Sequence, residues 1–347
     1  DAMLADLNPD GRIIATQDST HAGYIVKGLA AGKRGLSEKP LCNTPEQCRA
    51  ILAAQAASTA KGYCTHNVRY TPARAKMKEI VKSGRLGRIL AIQYDELLDR
   101  RHGADYFRRW HRNKVNSGGL LIHKSSHHFD FINWLAESLP DVVVARGDVA
   151  FYGKNGPFRS RRCLGCPHAG QCDLYADLFN SKRSDKLYRQ AERDDGYCRD
   201  GCVFDESIDT EDRASVIYTY KNGIHVSYNL TAFASFEGER VYIEGTRARL
   251  EAISIKSTAW AAGDATVFGM EAMLGDSLRL YEPKGGVIDI AIDQAEGTHG
   301  GSDPRLRAEL LGRDWSEPDT ESTASLDQAV QAVMVGAAAN ASIARGG

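Results

Sequence analysis

The chain has 347 residues, of which 42% are hydrophobic and 26% are charged. This balance is ordinary for a globular protein, and the length is sufficient for two domains with sizeable cores. With 44 basic and 45 acidic residues the formal net charge is −1, which gives no global attraction to nucleic acid or to an acidic membrane. No stretch reaches the roughly 18 apolar residues of a membrane helix, and the first residues lack the pattern of a signal peptide. We therefore expect a cytoplasmic protein whose partners include neither nucleic acid nor membrane.

Three short apolar segments in the first part of the chain are predicted strands, at residues 11–17, 34–40 and 61–67. Helical segments follow them, at residues 19–33, 44–58 and 72–84. The first helix has Ser19 or Thr20 as its N-cap, and the second has Thr44. Strands that alternate with helices of this length indicate a parallel sheet with right-handed crossovers. We assign this α/β pattern to a domain over residues 1–68.

Polar residues stand where each of these strands ends. They are Thr16-Gln17-Asp18, Glu38-Lys39-Pro40 and the segment 67–69. In open parallel sheets, ligands bind outside the carboxyl ends of the strands. A single polar strand end is ordinary, whereas three in succession favour a ligand site at this edge.

The second part of the chain has a different pattern of predicted elements, in which several strands follow one another without a helix between them. These predicted strands are residues 88–97, 214–220, 224–233, 239–245 and 248–255. Asn222-Gly223 is a typical hairpin turn between two of them, and residues 325–344 carry the apolar stripe of a helix. We therefore predict an antiparallel sheet within an α+β domain over residues 69–347.

The segment GGLLIHKSSHHFDFINWL, residues 118–135, crowds three histidines and a lysine among apolar residues. We predict one helix over residues 120–135, in which His123 and His127 share one face and Lys124 and His128 another. The spacing of His123 and His127 also matches a zinc-binding pair, but a lysine stands where the HExxH pattern has its glutamate. For His128 we expect a satisfied core position.

Five of the eight cysteines are bunched between residues 163 and 202. Two short-spaced groups with a loop between them are typical of a tetrahedral thiolate site. We predict a structural zinc held by Cys163, Cys166, Cys172 and Cys202. Cys198 and His168 are alternatives for the fourth ligand, and an iron–sulfur cluster would use the same thiolates. The metal would order an insertion at about residues 160–205, whose charged stretch has too few apolar residues to order itself.

Five motifs, in order along the chain, resemble the Gfo/Idh/MocA oxidoreductases, which are sugar and cyclitol dehydrogenases. They are ATQDSTH (15–21), SEKP (37–40), NVRYTP (67–72), SGGLLIHKSSHHFD (117–130) and GTRARLE (245–251). The EKP triplet alone is weak, but five motifs in the right order make the resemblance specific. It implies a Rossmann-type domain, N-terminally incomplete here, followed by an α+β domain with an open-faced antiparallel sheet.

Carried over position by position, the resemblance makes His127 the catalytic acid/base and Lys39 its partner. A neutral imidazole can accept a hydroxyl proton near pH 7, and a lysine can stabilise the developing negative charge. The candidate cofactor-binding residues for NAD or NADP are Thr16, Gln17, His21, Glu38, Lys39 and Asn67. The candidate substrate-binding residues are His123, Lys124, Arg69, Trp110 and Arg112. The last two lie in the basic run 101–114, which is otherwise interpreted as a solvated loop.

Two departures from the family pattern stand out. No GxGxxG turn, which would bind the cofactor pyrophosphate, occurs before residue 38. We therefore expect roughly 50 to 70 residues to precede residue 1, about two strand–helix units of such a fold. In addition, His123 occupies the position of the family's usual aspartate.

The first-choice function is NAD(P)-dependent hydride transfer to or from a ring hydroxyl of a sugar, sugar derivative or cyclitol. The alternative is an NAD-dependent glycosidase of the same fold, which acts through transient ring oxidation and elimination. A non-catalytic binding protein is a third possibility. We also expect a homodimer or homotetramer, because the second sheet needs cover on its open face.

Overall fold

Short apolar segments separated by helices fold into a small, largely parallel sheet. The computed structural model describes residues 8–257, 274–296, 298–312 and 319–347. Within these residues β1 (Gly11–Ile14), β2 (Arg34–Ser37) and β3 (Gly62–Cys64) pair in parallel, in that order. A two-residue strand from the end of the chain, β12 (Ala324–Ser325), adds to β3 in antiparallel fashion. The parallel α/β pattern read from the sequence is thus confirmed.

The two helices of this unit differ in how their N-termini are capped. Helix α1 (Asp18–Ala30) begins one residue before the predicted caps, with Gln17 as N-cap, so the predicted caps Ser19 and Thr20 are wrong. Helix α2 (Pro45–Ala56) is capped as expected, because the Thr44 hydroxyl accepts a hydrogen bond from the Gln47 N–H at 3.2 Å. These helices pack over the sheet around a small apolar core that includes Ile14, Ile25, Leu29 and Ile51.

The second unit is built on an eight-stranded sheet. Its strands are β4 (Ile89–Asp99), β5 (Pro140–Asp148), β6 (Arg213–Tyr220), β7 (His225–Ala234), β8 (Glu237–Gly245), β9 (Arg249–Ser257), β10 (Gly275–Glu282) and β11 (Gly286–Asp289). The strand order is β11-β10-β9-β8-β4-β7-β6-β5. All neighbours are antiparallel except β4 and β7, which pair in parallel. The sheet is therefore mixed rather than purely antiparallel, because β4 enters between β8 and β7.

Helices cover one face of this sheet and bring side chains toward the first unit. They are α3 (Pro72–Lys82), α4 (Arg100–Arg108), α5 (Lys114–Ser117), α6 (Leu120–His123) and α7 (Ser126–Ala136). Short helices α8 (Lys182–Ser184) and α9 (Glu192–Asp195) lie in the cysteine-rich insertion, and α10 (Ser302–Leu311) follows β11. Single helical turns of other types occur at Asn67–Tyr70, Trp110–Arg112, Gly153–Asn155, Ala169–Gln171, Asp185–Arg189 and Thr298–Gly301.

The last helix, α11 (Leu326–Ala344), packs into both units. Leu326 and Val333 belong to the core of the parallel unit, whereas Val335 and Ala339 belong to the core of the second unit. The approach is close at Gly336, where an added Cβ would lie 2.3 Å from the Leu121 carbonyl oxygen. In the part of the chain that the structure describes, no helix combines the length and apolar character needed to cross a membrane.

Candidate active site

A cavity of about 490 Å³ lies where the carboxyl edge of the parallel sheet meets the second unit. Lys39, which follows β2, and Asn67, which follows β3, contribute one wall. Lys124, His127 and His128 line it from the α6–α7 segment. The other wall comes from the second sheet and α4, through His102, Tyr106, Glu237, Glu239 and Lys256.

Lys39 is a partly buried cation at the edge of this cavity. Its Nζ donates a hydrogen bond to the His123 carbonyl oxygen at 3.2 Å. Burial lowers the pKa of Lys39 to about 8, and the nearby Asp18 carboxylate acts in the opposite direction. The amine therefore titrates close to neutral pH, and pKa shifts of this kind are common at functional sites.

His127 lies on the same cavity, and its ring is neutral. Burial, together with the positive charge of Lys39, holds the pKa of His127 well below its usual range, so the ring is neutral near pH 7. Its Nδ1 is buried and has no hydrogen-bond partner among the described residues. The ring packs edge-on against His66 at a centroid distance of 5.7 Å. Burial lowers the pKa of His66 to about 4, with Asp130 opposing, so His66 adds no charge there.

Lys124 also lines the cavity, as predicted for a substrate contact, and it is tied to a buried carboxylate. Its Nζ lies 3.1 Å from Glu96 Oε1, and His128 Nε2 lies 3.5 Å from the other Glu96 oxygen. Burial works against the charge on Lys124, but Glu96 raises its pKa, so Lys124 remains a cation. His128 is buried, as expected, and its Nδ1 is 2.9 Å from the Tyr228 hydroxyl.

A second buried ion pair, between Arg74 and Glu239, also lines the cavity. Arg74 and the hydroxyl of Tyr94 both donate to Glu239. Burial opposes ionisation of Glu239, yet the Arg74 guanidinium holds its pKa below the usual range. Among the described residues, Glu96, His128 and Glu239 place ligand atoms within 4.8 Å of one another. The neighbouring cations Lys124 and Arg74 already neutralise both carboxylates, so the group is a charge network rather than a metal centre.

The predicted helix over residues 120–135 is interrupted. Helix α6 ends at His123 and α7 begins at Ser126. The Ser125 hydroxyl donates to the Leu120 carbonyl oxygen at 3.2 Å and lies 2.8 Å from the Tyr228 hydroxyl. These two contacts stabilise the interruption between α6 and α7. Because of this break, His123 and His127 do not share a helix face.

His123 is not among the residues that line the cavity, and its role as a substrate contact stays a prediction. It is buried, and its Nδ1 lies 2.5 Å from Asp18 Oδ2. Its ring packs edge-on against His111 at a centroid distance of 4.2 Å and against Tyr106 at 5.6 Å. Burial, followed by the charge of Lys39, holds the pKa of His123 well below its usual range.

Three further predicted substrate contacts are engaged elsewhere. Arg69 is fully buried and forms two 2.7 Å hydrogen bonds with the carboxylate of Asp130, so it fastens α7 to the segment after β3. Trp110 stacks on His111 at 3.7 Å. Arg112 donates to the Cys202 carbonyl oxygen at 3.2 Å and thereby holds the insertion. None of the three lines the cavity.

The predicted cofactor-binding residues divide into two groups. Thr16 and Glu38 are exposed and Gln17 is partly exposed, all at the carboxyl edge of the parallel sheet. The buried ring nitrogens of His21 lie 2.8 Å from the Pro40 carbonyl oxygen and 3.0 Å from that of Thr16. The ring joins two strand ends, and a contact of His21 with the cofactor stays a prediction.

The side chain of Asn67 indicates whether the carboxyl edge of the parallel sheet is suited to a nicotinamide cofactor. Its amide nitrogen donates to Asp303 at 2.8 Å, while its Oδ1 is buried with no partner among the described residues. A buried acceptor without a donor is costly unless something supplies one. The polar, partly open strand ends and this orphan acceptor on the cavity wall fit the polar end of a cofactor.

Backbone contacts bring the cysteine-rich segments together. The Cys163 N–H donates to the Asp200 carbonyl oxygen at 2.9 Å, and the Cys202 N–H donates to that of Arg161 at 3.2 Å. Burial raises the pKa of the Cys172 thiol, and Cys163 and Cys202 are near enough to raise it further. Within the described ranges, however, these sulfurs do not form a group of three or more within 4.8 Å of one another. The zinc site stays a prediction, because the ligands are neighbours without a preformed tetrahedron.

Sequence reasoning missed several cavity residues, among them His102, Tyr106, Glu237 and Glu239. For Glu237 and Glu239 the signal is that two acidic residues stand in one strand, where burial of a carboxylate is costly unless it has a partner. Asp18 is one of the predicted strand-end residues, and its contact with His123 is a role that the sequence did not indicate.

The chain matches two family models. One is described as the C-terminal alpha/beta domain of an oxidoreductase family and covers residues 78–347. The other is described as the NAD-binding Rossmann fold of that family, GFO_IDH_MocA, and covers residues 1–65.

Individual relatives agree with these matches. The chain is 34% identical over 328 residues to the oxidoreductase YteT of Bacillus subtilis, a span of 90% of this chain and 75% of YteT. It is 28% identical over 144 residues to an inositol 2-dehydrogenase of Rubrobacter xylanophilus, a span of 39% of this chain and 36% of that enzyme. A solved levoglucosan dehydrogenase in complex with NADH and levoglucosan shares the fold, with a TM-score of 0.65 at 18% identity over 100% of this chain and 81% of that one.

Proposed function

Because the chain belongs to the Gfo/Idh/MocA family of oxidoreductases, we propose that it transfers a hydride between NAD or NADP and a ring carbon bearing a hydroxyl group. The proposed substrate is a sugar, a sugar derivative or a cyclitol. The observation that carries the proposal is the position of Lys39 and His127 on the wall of one polar cavity at the carboxyl edge of the parallel sheet.

In the oxidative direction, neutral His127 accepts the proton of the substrate hydroxyl. Lys39, as a cation, donates a hydrogen bond to the oxygen as it becomes an alkoxide. The bound nicotinamide supplies the hydride acceptor. In the reverse direction His127 returns the proton to the oxygen of the carbonyl substrate. At neutral pH the lowered pKa of His127 leaves its ring neutral, and the pKa of Lys39, about 8, leaves its amine largely cationic.

The remaining cavity residues orient the substrate ring. Lys124 is kept as a cation by Glu96 and offers donors to a neighbouring hydroxyl. Tyr106 and Lys256 line the cavity as further polar groups. A few fixed polar groups around one ring are what determines orientation in a small-molecule site.

Thr16, Gln17, Glu38 and Asn67 are the residues proposed to hold the nicotinamide half of the cofactor. Their positions after β1, β2 and β3 support this assignment, because ligands of open parallel sheets bind beside the carboxyl ends of the strands. Asn67 Oδ1 would gain the donor that it lacks.

The test is to follow nicotinamide absorbance with NAD or NADP and a panel of aldoses, inositols and their oxidised forms. A net change in absorbance that requires both Lys39 and His127 supports the proposal. Release of a nitrophenol from a nitrophenyl glycoside with no net change would support the glycosidase instead. Sugar binding with neither signal would indicate a binding protein.

A further inference from the structure

A second and larger cavity, of about 900 Å³, lies beside the first. Helix α4 forms one side, through Arg101, Asp105 and Arg108. The cysteine-rich insertion forms the other side, through residues 173–178 together with Asn180 and Arg199. The insertion therefore builds a compartment next to the proposed active site.

The two cavities share part of their walls. His102, Glu237 and Lys256 line both of them. His102 Nδ1 lies 2.8 Å from Glu237 Oε1, and its Nε2 lies 3.2 Å from the hydroxyl of Tyr106, which lines the smaller cavity. The two cavities are therefore adjacent, with His102, Glu237 and Lys256 as their common boundary.

Charge in the larger cavity is balanced rather than of one sign. Arg100, Arg101, Arg108, Arg199 and Lys256 face Asp99, Asp105, Asp173, Asp177 and Glu237. Several of these groups are already paired: Arg199 donates to Asp105 at 2.7 Å, and Arg108 donates to the Leu174 carbonyl oxygen. A phosphate or carboxylate would meet nearly as much repulsion as attraction there. Donors and acceptors held in fixed positions without net charge instead match the hydroxyl groups of a neutral sugar.

We infer that the substrate is a saccharide of at least two rings, with the reacting ring in the smaller cavity and the next ring, neutral and hydroxyl-rich, between α4 and the insertion. This inference rests on the proposed function and specifies its substrate class. Cavities of about 300–1,000 Å³ hold drug-sized ligands, so the larger cavity has room for a further ring.

The experiment compares monosaccharides with matched neutral disaccharides, for example glucose with cellobiose and galactose with lactose, in the nicotinamide assay. We expect at least one disaccharide to have a kcat/KM about tenfold or more above that of its monosaccharide. Ala176→Trp, which fills the larger cavity, should abolish this preference. Leu187→Trp is the matched control, because Leu187 is exposed in the same insertion and lines neither cavity.

Oxidation of monosaccharides with no preference for any disaccharide would overturn the inference and leave the proposed function intact. If no sugar of the panel is oxidised, saturation-transfer NMR with cellobiose and lactose decides separately. Disaccharide binding that Ala176→Trp removes and Leu187→Trp retains supports the larger cavity as a sugar site, and absence of binding overturns it. Unchanged melting temperatures show that both variants are folded.

Discussion

His123 Nδ1 lies 2.5 Å from Asp18 Oδ2, and both side chains are buried where the two units meet. Burial raises the pKa of Asp18 to about 8, opposed by Lys39. The carboxyl group and the imidazole therefore share one hydrogen bond between them near neutral pH. The same segment accepts the hydrogen bond of Lys39 at the His123 carbonyl oxygen, 3.2 Å away. In this chain an acidic group reaches His123 from the first turn of α1.

Removal of either proposed catalytic group should lower turnover while the protein stays folded. Lys39→Ala and His127→Ala should each reduce kcat by about 100-fold or more, because each removes acid/base or alkoxide stabilisation. Initial rates by nicotinamide absorbance, with cofactor affinity measured separately, test this. Lys33→Ala is the control, since Lys33 is partly exposed, donates to Asn8 and does not line the cavity. Normal turnover in both catalytic variants would contradict the assignment.

The pH profile should have its upper limit near the pKa of Lys39. Cationic Lys39 stabilises the alkoxide, so kcat/KM should fall as pH rises through about 8. On the acid side the rate should persist below the ordinary histidine pKa, because His127 stays neutral there. Asp18 and Lys39 titrate together in this range, and ionised Asp18 raises the pKa of Lys39, so Asp18→Asn should move the upper limb to lower pH. An unmoved limb would show that Asp18 does not influence Lys39.

Asp18 also makes stability depend on pH. Its pKa is about 8 in the folded protein and 3.8 for the free group. Between these values the folded state retains a proton that the unfolded state has lost, so the contribution of Asp18 is complete below pH 3.8 and declines until about pH 8. The melting temperature of the native protein should therefore fall relative to that of Asp18→Asn as pH rises across this window. Parallel melting curves of the two proteins would refute the shift.

The cysteine-rich insertion should contain about one zinc ion per chain, or iron with a brown colour. Elemental analysis of the purified protein tests this directly. Cys163→Ser should lose the metal and lower the melting temperature, because thiolate ligation contributes to folding. Cys198→Ser should retain it if Cys202 is the fourth ligand. Metal-free protein of undiminished stability would rule the site out.

The open face of the large sheet should mediate self-association. Val144 and Ile217 lie opposite one another on β5 and β6 and are 49% and 61% exposed. Val144→Glu together with Ile217→Glu should shift a dimer or tetramer toward the monomer in light scattering, because a buried unpaired carboxylate is unfavourable. Val115→Glu, at a position 77% exposed in α5, is the control. A native protein that is monomeric at micromolar concentration would contradict the prediction.

Strand–helix alternation was sufficient to predict the parallel unit, because its periodicity is local. The positions of Lys39 and His127 followed from the family motifs, and both lie on the cavity. The break at Ser125 was not predictable, since it depends on a hydroxyl contact with Tyr228, more than 100 residues away in the chain. The roles of His123 and Arg69 were missed for the same reason: their partners Asp18 and Asp130 are distant in sequence.

Helix α11 contributes side chains to both apolar cores, and the strand before it extends the parallel sheet. The two units are therefore joined by one helix, and loss of its contacts with either unit would expose part of that unit's apolar core. Separation of the two units would expose apolar side chains of α11 to water, which is unfavourable. We therefore expect a substrate to reach Lys39 and His127 past the side chains at the mouth of the cavity, so that the shape of the mouth limits which molecules bind.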